Sequence, residues 1–141
     1  MHLNRLSYIL LKGFASKPYV LQYKYVDFVE KEKKMADTLD WDFFFKQLAS
    51  GVNIDETLFY FIDDPNKEDH YLGFLPEFDK PYWTGYCDVP DGTEYYSAEE
   101  LVNDKIYDGK SLKERWNEVR ICSIEGICLD DWLKYFEHIE D

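Results

Sequence analysis

Apolar residues fall along this chain in short blocks, spaced every second residue in some stretches and every third or fourth in others, so the pattern predicts a mixture of strands and helices. Residues 57–62 are aromatic and β-branched and run into Asp63-Asp64-Pro65-Asn66, which predicts a strand followed by a turn. Residues 70–75 and 82–89 predict the next two strands, separated by the connection 76–81, and Pro90-Asp91-Gly92 predicts a tight turn into a strand at 93–96. Together these make a three- or four-stranded antiparallel meander.

Helical spacing appears on either side of it. Thr38 or Asp37 is placed to cap a helix beginning near Leu39, with Asp40 and Asp42 in its first turn, Phe44, Leu48 and Trp41 on one face, and Gly51 as its stop. Ser97-Ala98-Glu99-Glu100 and Ser111-Leu112-Lys113-Glu114 each match the capping box, in which a Ser hydroxyl and a Glu three residues on satisfy opposite amides; they predict helices from Ala98 and from Leu112, with Asp108-Gly109 turning the chain between them. A further strand is expected at 119–124, ended by Gly126, and an amphipathic helix at 130–139 with Trp132, Leu133, Phe136 and Ile139 inward. The fold class is therefore α+β: an antiparallel β-meander of three to five strands packed with three to four helices in a single layer-on-layer domain.

Charge divides the chain. Residues 1–34 hold seven basic and three acidic side chains, a balance of +4, whereas 35–141 hold nine basic and 26 acidic, a balance of −17. Two readings of the basic segment stand. Lys31-Glu32-Lys33-Lys34-Met35 is encodable as a bacterial ribosome-binding site ahead of a start codon, which makes 1–34 a mis-annotated leader and 35–141 a single acidic α+β domain that folds alone. Alternatively, Leu21, Tyr23 and Tyr25 alternate with Gln22 and Lys24 as a half-buried strand does, which makes 1–34 a genuine basic N-terminal arm.

The composition narrows the function classes. Strong net negative charge disfavours direct contact with nucleic acid, which is bound largely through Lys and Arg, and favours basic protein partners. No apolar stretch approaches the roughly 20 residues of a membrane span, so no membrane role is expected. Cys87, Cys122 and Cys128 are odd in number, sit in apolar runs and form no Cys-x-x-Cys pair, which predicts reduced thiols, no structural disulfide and a cytoplasmic setting.

Candidate chemistry is sparse. A calcium loop starting at Asp64 lacks Gly at its sixth position, where Asp69 stands, and Glu at its twelfth, where Leu75 stands, so 63–70 is expected to be a solvated acidic turn. His70 and Cys87 are too few to make a zinc site. No nucleophile motif or phosphate-binding loop is present; neither enzyme activity, nor a cofactor, nor a metal is expected. The candidate residues are those of a partner-binding surface: Asp63, Asp64, Glu68 and Asp69 in the acidic turn, and Tyr82, Tyr86 and Asp88 on one face of the 82–89 strand. Tyr favours interfaces because it offers large area at small entropic cost. The competing expectation for that strand is that helices cover both faces and its tyrosines are packed inside, with Trp83 in the core either way.

In size, acidity, reduced cysteines and apparent bacterial leader the chain resembles the immunity proteins that neutralise bacterial toxins. Leu75-Pro76-Glu77-Phe78 is similar to the Leu-Pro-acidic opening of one immunity superfamily, the SUKH proteins, but the Asn-Gly-Gly that follows in that family is absent, and no residue role carries over. The resemblance implies a small acidic binding protein that docks on a basic toxin or nuclease; a regulatory or adaptor protein is the alternative.

Overall fold

The computed structural model describes residues 36–85 and 92–137. Expectations for 1–35, for Tyr86, Cys87 and Asp88, and for Ile139 lie outside the described residues. Among the described residues six antiparallel strands form one sheet: β1 (Thr57–Phe61), β2 (His70–Phe74), β3 (Tyr82–Thr84), β4 (Thr93–Tyr95), β5 (Val119–Ile124) and β6 (Ile127–Cys128), in the spatial order β4-β3-β2-β1-β5-β6. The first four are the expected meander. The chain then returns past it, so that β5 pairs with the free side of β1, with a bulge between Leu58 and Phe59.

Three α-helices are described: α1 (Trp41–Ser50), α2 (Ala98–Asn103) and α3 (Leu129–Leu133). The sheet thus has one strand more than the expected maximum, because Glu125 and Gly126, both with positive φ, fold the chain back into the two-residue β6. In α1 the cap is Asp40, whose carboxylate accepts the Phe43 amide at 3.1 Å. Asp37 and Thr38 are not available for that role: Asp37 is bridged to Ile121, and its carboxylate accepts the Thr38 amide at 2.7 Å. The stop is Gly51, left-handed at φ 69°, whose amide donates to Leu48 O.

The two capping boxes have different outcomes. Ser97 Oγ accepts the Glu100 amide at 3.1 Å, but the Glu100 carboxylate accepts the Tyr96 amide at 3.3 Å, one residue before the expected donor, and α2 follows. At Ser111 the exchange is complete, Ser111 N donating to Glu114 Oε1 at 3.0 Å and Glu114 N to Ser111 Oγ at 3.1 Å, yet no α-helix follows. The chain instead makes turns into a 3-10 helix, Trp116–Glu118, and enters β5 at Val119. Tertiary demands override the local signal there: Arg115 is drawn to Asp63 on one side, while Trp116 donates its indole N–H to Leu39 O at 2.6 Å and stacks on Phe44 on the other. The C-terminal helix is likewise shorter than expected, α3 passing into a 3-10 turn at Lys134–Phe136.

The core lies on the helix-covered face of the sheet, where Phe44, Leu48, Phe59, Leu72, Leu101 and Trp132 are almost wholly buried. Tyr82 belongs to it. On the opposite face Leu58, Tyr60, Tyr71, Leu75, Trp83 and Cys122 form a second buried cluster. Gly73 lies beneath Trp83: a Cβ there would stand 2.7 Å from Trp83 Cζ2 and 2.5 Å from Asp55 Oδ1, so no side chain fits. No helix among the described residues is long and apolar enough to cross a membrane.

Candidate functional site

β1 ends and β2 begins on either side of the acidic turn, and the antiparallel pairing of Phe59 with His70 brings the two stems together. Within the turn Asp64 folds back on the chain: Oδ1 accepts the Asn66 amide at 2.9 Å and Oδ2 the Glu68 amide at 3.0 Å. Those two amides, Glu68's more than Asn66's, hold its carboxyl below the usual carboxylate range. The turn is thus organised by its own backbone, and no group of three or more His, Cys, Asp or Glu among the described residues is placed to hold a metal ion.

Facing this turn is a second one, in which Asp108 and Gly109 reverse the chain between the bridged residues Tyr107 and Lys110. The two turns enclose a cleft of about 370 Å³, lined on one side by Phe61, Asp63, Asp64, Pro65, Glu68 and His70 and on the other by Ile106, Tyr107, Asp108 and Arg115. Its floor is aromatic. His70 packs against Phe59, Phe61 and Tyr107 with ring centroids 5.1–5.4 Å apart. Burial pushes the imidazole below its ordinary pKa, and the Arg115 charge acts in the same direction; the carboxylates of Glu68, Asp64 and Asp69 oppose them without prevailing. The cleft thus disfavours the charged imidazolium.

Among the described residues that line the cleft, Arg115 is the only one with a permanent positive charge. Its guanidinium carbon sits 3.7 Å from the centroid of the Phe61 ring, one nitrogen donates to Asp63 Oδ1 at 2.8 Å, and another lies 3.8 Å from Asp108 Oδ2. Since its side chain is only 11 % exposed, the Asp63 contact is shielded from water at the Arg end although Asp63 itself is open. Four carboxylates against one guanidinium leave the lining strongly anionic. Glu68 and Asp108 are exposed at the rim, which suits a cation entering from solvent.

Three of the expected partner-binding residues, Asp63, Asp64 and Glu68, thus line one cleft; Asp69 is half-buried beside it, outside the lining. Tyr82 is a correction to the surface reading. It is 6 % exposed, and its hydroxyl donates to the last carbonyls of α1, Leu48 O at 3.0 Å and Ala49 O at 3.1 Å. The packing that buries it raises its pKa. At the C-terminal end of the helix the usual i+4 amides run out, so the tyrosine's polar end serves Ala49 O and joins the Gly51 amide on Leu48 O while its ring fills the core.

Arg115, Ile106, Tyr107 and Asp108 were not predicted for the site. Tyr107 and Arg115 are brought to it only by the return of the chain toward β5, and no short-range spacing marks them. Asp108 carried a local signal as a turn residue, not as part of an anionic rim. Cys122, buried in the second cluster, and the half-buried Cys128 are in no disulfide. Compared with protein-family models, curated proteins and solved structures, the chain matches none.

Proposed function

We propose that this chain is a small acidic cytoplasmic binding protein whose cleft docks a basic protein partner, in the manner of an immunity protein that neutralises a toxin or nuclease. The observation that carries this reading is the convergence of Asp63, Asp64 and Glu68 with Asp108, from a turn remote in sequence, around one cleft with aromatic walls. A Lys or Arg side chain entering it would meet carboxylates at the rim and apolar surface along its stem, the division of labour that suits a long amphipathic cation. The surrounding negative charge would steer a basic partner toward it and raise the association rate more than the final affinity.

The test uses the full chain as bait in a lysate of its native host, beside the double variant Glu68→Gln, Asp108→Asn, whose side chains are exposed. Asp63 is left intact because it holds Arg115, and Asp64 because both its oxygens hold the turn. The expected outcome is capture of a basic protein, with association about tenfold slower for the variant at low salt and a nearly unchanged melting transition, since exposed charges stabilise little. A toxin in the captured fraction supports the immunity reading; a basic regulatory protein supports the adaptor alternative. Recovery of acidic or neutral proteins alone, or association indifferent to ionic strength, would sink both.

A further inference from the structure

His70 stands where the two sides of the cleft meet. Its position is set from β1 by the pairing with Phe59 and from the returning chain by Tyr107, whose ring lies edge-on at 5.4 Å. The imidazole is half-buried and lines the same space as Asp64, Glu68, Asp108 and Arg115. Among the described residues of that lining, it is the one whose side-chain type changes charge between about pH 5 and pH 8. Each segment packed on it brings its own groups. The acidic turn supplies the carboxylates of Glu68, Asp64 and Asp69, and the segment leading to β5 supplies the Arg115 guanidinium. Asp63 and Asp108 line the cleft too, both beside Arg115. Lys67, in the same turn as Glu68, lies over the Tyr60 ring. From β1 the imidazole meets the apolar rings of Phe59 and Phe61, and Tyr107 adds a buried phenol whose ionisation is pushed far up.

Resting on the docking of a basic partner at this cleft, we propose that His70 gates it by protonation: with the imidazole neutral the cleft accepts the partner's cationic side chain, and with the imidazole charged it turns that side chain away. Neutral, the ring extends the apolar floor along which the stem of a Lys or Arg lies. Charged, it stands with Arg115 as a second cation at that floor, and like charges a few ångströms apart disfavour each other. It also draws on Glu68 and Asp64, carboxylates that the incoming cation would otherwise meet. Linkage gives the sign. Burial already sets the imidazole below its ordinary pKa, and a cation bound beside it lowers the value further, so the complex holds fewer protons than its free parts. Affinity is full above the free protein's value, declines as the pH falls through it, and levels off below the value in the complex. The partner is thus held at neutral pH and released in mild acid, where Asp64, held below the usual carboxylate range, keeps its charge.

The test follows the full chain by NMR, with the blocked tripeptide acetyl-Gly-Arg-Gly-amide as probe, at about pH 7.5 and about pH 5. Backbone amides of Glu68 and Asp108 report docking, and the imidazole Cε1–H signal of His70 reports its protonation. The cleft amides are expected to shift with the probe at the higher pH, and the dissociation constant to rise at least about threefold at the lower. Saturation with the probe is expected to lower the His70 titration midpoint by at least about half a unit, the shift that a threefold change requires. In His70→Phe the ratio of the two dissociation constants is expected to fall toward one; should that variant not fold or not bind, the His70 titration in the unaltered chain decides. A probe that moves no cleft amide at either pH removes the docking reading and the proposal with it. Docking with equal dissociation constants at the two pH values, an unmoved His70 titration, or a ratio undiminished in His70→Phe overturns the proposal alone.

Discussion

His70 shows how one side chain joins the cleft to the stability of the fold. Its imidazole is packed among Phe59, Phe61 and Tyr107 and is less easily protonated folded than unfolded, so acid favours the unfolded chain. With an unfolded pKa near about 6.5 and a folded value below it, the stabilisation from keeping the ring neutral is complete above that pH. It declines as the pH falls from there through the folded value. His70→Phe keeps the packing and removes the proton site, and is expected to flatten the decline in melting temperature between about pH 7 and pH 5.5; an unaltered slope would assign the acid sensitivity to other groups. Gly73 is constrained by space alone. Gly73→Ala is expected to lower stability by roughly 2 kcal/mol, the usual cost of overpacking, read as a shift in the urea midpoint at constant slope. No shift would mean that Trp83 moves aside freely.

At the level of elements, the two Ser-led capping boxes are a natural comparison. They share the Ser and the Glu three residues on, and in both the Ser hydroxyl accepts the Glu amide, yet the helix follows Ser97, where the Glu carboxylate turns to Tyr96 N, and not Ser111, where the exchange is complete. Ser97→Ala is expected to cost about 1 kcal/mol through the lost cap. Ser111→Ala is expected to cost at least as much, because Ser111 is buried and its box holds the turns that place Arg115; thermal melts of both variants decide the order. The contrast also explains what the sequence made legible. The strands expected at 57–62, 70–75 and 93–96, the Gly51 stop, the Asp108-Gly109 turn and the Ser111 capping box are local chemistry and were readable to within a residue or so; the strand expected over 82–89 ends at Thr84, before the positive φ of Gly85, and 86–89 lie outside the described residues. The cap of α1 was misplaced, since Asp37 is recruited by a strand distant in sequence, and the helix after Ser111 was overcalled because two tertiary contacts pull its first turn apart. The acidic half of the cleft was visible as a charge run, but Arg115 and Tyr107 were not, for their place depends on how the chain returns to β1. Tyr82 misled because alternation separates the two faces of a strand without saying that both are covered.

Across the whole molecule, the sheet is built around a strand whose two neighbours come from very different distances along the chain. β1 meets β2 across the short acidic turn, whereas its other edge is closed by β5, with Phe61 against Val119, 58 residues on, and Thr57 against Ile124, 67 residues on. Such non-local pairing is paid for in loop-closure entropy before it is rewarded, and it slows folding. During synthesis at roughly 5–20 residues per second, several seconds separate the emergence of β1 from that of β5. For that interval the nascent chain offers the ribosome's surroundings an aromatic strand with one open row of backbone donors and acceptors, a ready template for wrong pairing. A message broken before the codon for Val119 therefore yields a product that cannot close its sheet, since the strand that covers the open edge of β1 lies in the last sixth of the chain.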